Sequence, residues 1–145
     1  MTFILDACAL LAFLNDEEGG EKIENILNQS AAGESIVCMS ITNLLEVFYG
    51  ELKEKGPEIA EVVLSVTDAY GVTIIDTVST PVFRMAAHIK ADYRCSLADA
   101  VGLATAFDLS GTFVTSDGEL LPMERQETID IFWFRPPKEK EPRNK

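Results

Sequence analysis

Four short apolar runs punctuate the chain: Phe3-Ile4-Leu5, Ser35-Ile36-Val37-Cys38-Met39, Val72-Thr73-Ile74-Ile75 and Thr112-Phe113-Val114-Thr115. Longer segments of helical character separate them. Short apolar strands that alternate with helices indicate a parallel sheet covered on both faces. The expected class is therefore α/β. In such sheets, ligand sites form outside the carboxyl ends of the strands. Asp6 directly follows the first run, and Asp117 follows the fourth.

The helices have recognisable starts and stops. Ala9–Leu14 is expected to be helical, followed by a polar break over Asn15–Gly20. Glu21–Gln29 places Ile23, Ile26 and Leu27 on one face and is closed by Gly33. Ser40 is suited to cap a helix from Ile41 to about Lys55, which Gly56-Pro57 stops. Pro57 fits the first turn of the next helix, which reaches about Tyr70, with Gly71 beyond its end. Thr80-Pro81 opens another, to about Tyr93. The segment from Ser96 to Phe107 reads as a helix with almost no polar face, apart from Asp99. Ile129–Phe134 is expected to be a fifth strand, at an edge. Residues 1–135 form one domain in this scheme, and 136–145, rich in proline and charge, form a frayed tail.

At 145 residues the chain suits a single domain. Its three cysteines, Cys8, Cys38 and Cys95, show no CxxC spacing. They read as buried thiols of a reducing compartment rather than a disulfide framework or a zinc site. The apolar N-terminus lacks a basic leader region and is interrupted by Asp6, and no stretch reaches membrane-spanning length. A cytoplasmic protein is expected, with no membrane partner. The formal net charge of −12 argues against a broad nucleic-acid-binding surface. It does not exclude a nuclease whose acids hold metal, because the cation supplies positive charge locally.

Four acids interrupt apolar sequence: Asp6, Glu46, Asp99 and Asp117. Each has a plain explanation taken alone. Asp6 and Asp117 suit turns or helix caps, Glu46 suits a wet helix face, and Asp99 with Ser96 resembles a capping box. Together they fall where strand ends and helix starts converge. Close carboxylates repel by roughly 4 kcal/mol per pair at an effective dielectric near 20, so such a cluster calls for cations. Oxygen ligands without histidine favour Mg²⁺ or Mn²⁺ over zinc. Asn43 shares a helical stripe with Glu46 and Gly50, and Thr115 and Ser116 are candidates to orient a ligand or water. His88, the Asp16–Glu18 run, the basic tail and a candidate RNA track of Arg84, Lys90 and Arg94 carry weaker signals.

Four segments in order resemble the PIN-domain family, most closely the VapC-type toxin ribonucleases. They are Ile4–Phe13, Ser40–Gly50, Ser96–Ala100 and Phe113–Gly118, and the resemblance extends to about Phe134. It implies a three-layer α/β/α fold around a mostly parallel sheet of about five strands. It implies an Mg²⁺- or Mn²⁺-dependent endoribonuclease acting on RNA, with Asp6, Glu46, Asp99 and Asp117 in the acidic site. It also implies a homodimer and a small basic antitoxin that inserts a basic side chain into the acidic pocket. Two positions depart from the pattern. Ala7-Cys8 stands where a hydroxyl usually follows the first Asp, and Asn43 where Thr is frequent. A PIN-like interaction module without catalysis is the alternative that the net charge of −12 and the missing hydroxyl near Asp6 motivate. Another Mg²⁺-dependent phosphoryl-transfer enzyme has less support, since Asp6 is followed by Ala7-Cys8-Ala9 with no second Asp two residues on, and nucleotide binding has none, since neither a GxxxxGK[ST] loop nor a GxGxxG turn is present.

Overall fold

A computed structural model describes residues 1–126 and 129–138 of the chain. Five strands form one sheet: β1 (Thr2–Leu5), β2 (Ile36–Ser40), β3 (Thr73–Ile75), β4 (Thr112–Asp117) and β5 (Asp130–Lys138). Their order is β3-β2-β1-β4-β5, and every neighbouring pair is parallel. The chain builds outward from β1 to β3, then returns to lay β4 on the other side of β1. The order therefore reverses between β1 and β4, the place where an open parallel sheet leaves a crevice at its carboxyl edge.

Side chains of the central strands alternate between two cores. Phe3, Leu5, Val37, Met39 and Val114 face α1 (Ala7–Leu14), α2 (Gly20–Ala31), α3 (Ile41–Lys55) and α4 (Pro57–Ala69). Ile4, Cys38 and Phe113 face α5 (Thr80–Asp92) and α6 (Leu97–Asp108) on the opposite side. The two-residue period of a strand, with helices over both faces, gives the expected three-layer α/β/α arrangement. Serine caps begin three helices: the side chains of Ser40, Ser79 and Ser96 accept from the backbone N–H groups of Asn43, Val82 and Asp99. No described helix is long and apolar enough to cross a membrane.

Two differences from the sequence expectation bear on the site. A single-turn 3₁₀ helix (Gly118–Leu120) and a short α7 (Leu121–Gln126) follow β4; they are too brief for hydrophobic periodicity to announce. The fifth strand continues past Phe134 to Lys138, through Pro136 and Pro137. An edge strand tolerates proline, since one side of it has no ladder to feed. Of the segment read as a tail, residues 139–145 lie outside the described residues. Cys38 and Cys95 are buried and Cys8 is partly so, and all three are free thiols.

Candidate active site

The crevice at the β1–β4 junction is a cleft of about 410 Å³ lined by all four singled-out acids, Asp6, Glu46, Asp99 and Asp117. They come from separate elements. Asp6 ends β1 and caps α1, Glu46 lies in the middle of α3, Asp99 stands in the first turn of α6, and Asp117 ends β4. Helices α3 and α6 belong to opposite layers but touch, which lets Glu46 and Asp99 face one space.

Asp6 is held most firmly. Its Oδ1 accepts from the Ala7 N–H at 2.7 Å, and its Oδ2 accepts from the Thr115 hydroxyl at 2.7 Å. The Cys8 thiol also donates to Oδ2, at 3.4 Å. Position 8 thus keeps a donor toward Asp6 although it lacks a hydroxyl, albeit a weak one. The Thr115 oxygen also accepts from the Asp117 N–H at 3.1 Å, tying the ends of β1 and β4 together. Asp117 in turn accepts from the Glu119 N–H through Oδ1.

Asp6 and Asp99 are 3% and 6% exposed. Burial, and then the neighbouring Asp99 charge, push the Asp6 carboxyl up to about 7, against the downward pull of its hydrogen bonds. The Cys8 thiol is pushed up to about 12, by burial first and then by Asp6, so it is protonated at neutral pH and able to donate. Glu46 is exposed at the rim and Asp117 is half-buried.

The donor set consists of oxygens, as a hard divalent cation requires. Among the described residues, no three His, Cys, Asp or Glu side chains converge tightly enough to form a ready-made metal cage. Mg²⁺ does not need one. It keeps several waters and is commonly held through one or two carboxylates. The buried Asp6–Asp99 pair, whose mutual repulsion a cation would relieve, fits that mode of binding.

Arg135 was not foreseen from the sequence. It lies on β5, lines the same cleft and is 9% exposed. Its Nε donates to the Ser116 Oγ at 3.1 Å, and its Nη1 meets the Glu17 carboxylate at 2.9 Å and the Glu18 carbonyl at 3.3 Å. The acidic 16–18 run is therefore partly engaged: Glu17 is the counter-ion of a buried arginine. Gly19 completes the junction. It has φ +81°, and a Cβ there would lie 2.5 Å from the Phe134 carbonyl oxygen. Replacing Arg135 with Met is expected to destabilise the fold by about 2 kcal/mol, since the pair is only half-shielded from solvent. A lower urea midpoint with an unchanged slope would register this; an unchanged midpoint would contradict it.

The remaining expectations divide. Ser116 lines the cleft and receives Arg135, and its hydroxyl also reaches the Cys8 sulfur at 3.7 Å. Asn43 does not line the cleft. It is fully buried, and its amide packs against Gly102 of α6, three residues beyond Asp99. Among the described residues, neither Asn43 Nδ2 nor Oδ1 has a hydrogen-bond partner. Gly50 has open space beside it, as its stripe with Glu46 implied. Glu51, which the sequence left unmarked, is buried, pairs with Lys55 at 3.0 Å and accepts from Asn15, fastening α3 to the end of α1. His88 is exposed.

The PIN domain profile matches residues 3–125. The chain belongs to the PIN domain family. Solved structures agree in fold with this PIN domain. A chain of the VapBC2 complex from Rickettsia felis, bound to a DNA fragment from its promoter, superimposes with TM-score 0.72 at 18% identity, covering 91% of this chain and 98% of that one. DNA-bound VapBC from Salmonella typhimurium gives 0.66 at 22% identity, covering 93% and 99%. VapC20 of Mycobacterium tuberculosis, a Sarcin-Ricin loop cleaving toxin, gives 0.65 at 14% identity, covering 83% and 94%. No curated protein matches the chain significantly.

Proposed function

We propose that this PIN domain is a divalent-metal-dependent endoribonuclease, the toxin of a VapBC-type pair. The observation that carries the proposal is the single cleft lined by Asp6, Glu46, Asp99 and Asp117, drawn from four elements. The neighbour that cleaves the Sarcin-Ricin loop supports RNA as the substrate class, and the VapBC complexes among the neighbours support an antitoxin partner. With a net charge of −12 and an acidic cleft, the chain suits a small basic antitoxin. A homodimer is part of the same reading.

Asp6, Asp99 and Asp117 would hold Mg²⁺ or Mn²⁺, and Glu46 at the rim would ligate a second ion or orient water. The bound ion supplies charge neutralisation and an activated water for hydrolysis of the phosphodiester bond. The protein's own groups prepare the place. Ala7 N–H and the Thr115 hydroxyl fix both oxygens of Asp6. Thr115 also sets the backbone of Asp117, and Arg135 places a positive charge in the cleft wall.

Purified protein incubated with RNA in Mg²⁺ or Mn²⁺ is expected to cut it internally, and EDTA to stop the reaction. The same ions should raise thermal stability. At about 100 times its dissociation constant a ligand adds roughly 2.7 kcal/mol, or about 5–10 °C for a chain of this size. Cleavage that persists in EDTA, or melting that does not respond to millimolar metal, would overturn the metal-dependent assignment. The second outcome combined with no cleavage would favour the non-catalytic module.

A further inference from the structure

The acid cleft has a neighbour. A second depression, of about 310 Å³, is lined by Lys90, Arg94, Cys95, Ser96, Leu97 and Glu119. Ser96 lines both clefts, so the two adjoin at the turn between α5 and α6. The Cys95 thiol reports the same proximity. Burial and then Asp99 raise it to about 11, Lys90 acts in the opposite direction, and Glu119 and Asp117 add to the rise.

Any RNA strand cut in the acid cleft must lay its flanking phosphates close to four carboxylates. Cations are needed locally, because the chain as a whole repels polyanions. The cation in the wall of the acid cleft itself, buried Arg135, is already committed to Glu17. Lys90 and Arg94 are exposed beside the site. Arg94 is 64% exposed at its side chain, and its contact with Glu119 is long, at 3.8 Å. Arg84, also on α5, is not part of this depression. Six residues before Lys90, it points about 120° away around the helix.

We infer that Lys90 and Arg94 form a backbone-phosphate subsite for single-stranded RNA beside the acid cleft, an inference that rests on the nuclease function proposed above. Glu119, 3.8 Å from Arg94, weakens the subsite by its charge. The subsite gives affinity rather than chemistry, so a minimal diester that occupies only the acid cleft does not use it.

The test compares wild type, the double variant Lys90→Gln/Arg94→Gln, Arg84→Gln and Glu119→Gln. Binding of a fluorescein-labelled, unstructured RNA oligonucleotide is followed by anisotropy over a salt series in EDTA. Hydrolysis of bis(p-nitrophenyl) phosphate is followed in Mn²⁺. The double variant is expected to bind RNA about tenfold more weakly and to flatten the log–log salt slope by about 1.4, the value for two phosphate contacts on a single strand. Arg84→Gln should bind as wild type does. Glu119→Gln should bind more tightly, a gain that a misfolded protein cannot produce. Diester hydrolysis should be unchanged in the double variant. An unaltered salt slope in the double variant, or an equal loss in Arg84→Gln, would overturn the subsite. Wild type that hydrolyses neither RNA nor the diester would overturn the nuclease function instead, while the salt slope still decides the subsite.

Discussion

Asp6→Asn is expected to abolish metal-dependent RNA cleavage and at the same time to stabilise the metal-free protein above neutral pH. The two effects have one origin. Asp6 sits at about 7 in the folded protein against an ordinary 3.8, because burial and Asp99 disfavour its charge. The folded state therefore binds this proton more tightly than the unfolded chain does. Between about pH 4 and pH 7 the native protein carries more protons, so its stability falls as pH rises through that window and stays low above it. Asparagine removes the charge and keeps an oxygen to accept from Ala7 N–H. The variant's metal-free melting temperature should exceed that of wild type at pH 8, and the two should converge below about pH 4. Cleavage should fall by at least about 10³-fold, since even partners behind a metal ligand cost about 10–100-fold. A variant that melts lower than wild type at pH 8 in EDTA would show that the carboxylate is not penalised as described. One that retains cleavage would remove Asp6 from the site.

Gly102→Ala is expected to destabilise the protein substantially through a single added methyl group. A Cβ at Gly102 would lie 2.5 Å from Asn43 Nδ2 and 2.9 Å from Phe113 Cε1. Neither neighbour has room to retreat: Asn43 and Phe113 are both fully buried. Overpacking of this kind costs about 1–3 kcal/mol, and here it separates α3 from α6, the helices that bring Glu46 and Asp99 to the cleft. The melting temperature should fall by about 5–10 °C. Asn43→Ala in the same chain should recover much of that loss, because it clears the clash and removes two buried polar atoms that lack partners. A double-mutant cycle measures the coupling. Additive effects would mean that Phe113 alone, not Asn43, sets the limit at this helix crossing.

The order of elements was legible in the chain because each signal is local. Short apolar runs, serine caps and prolines in first turns require no knowledge of the rest of the molecule. Two of the acids were legible for a related reason: Asp6 directly follows a strand and Asp117 closes one, and the ends of parallel strands are a place known before the fold is. What sequence concealed depends on long-range pairing. Arg135 is the last residue of the expected domain and nothing local marked it out, yet β5 carries it inward to meet Glu17, far away in the chain. Glu46 and Glu51 share α3, and only packing against Asn15 and Lys55 decides that the second is the buried, structural acid while the first faces the cleft. Asn43 shared a stripe with Glu46, but its amide packs toward α6 instead, in the space that Gly102 leaves by having no side chain.

The switch in strand order has a further consequence, for the timing of biosynthesis. Thr115 clasps Asp6 across 109 positions, and Arg135 clasps Glu17 across 118. A growing polypeptide that has displayed Asp6, Glu46 and even Asp99 outside the ribosome still lacks the strand that orients the first of them. The acid-lined cleft is therefore incomplete on a partly made chain, and takes its final form only when β4 slots in beside β1 and β5 is laid along the edge.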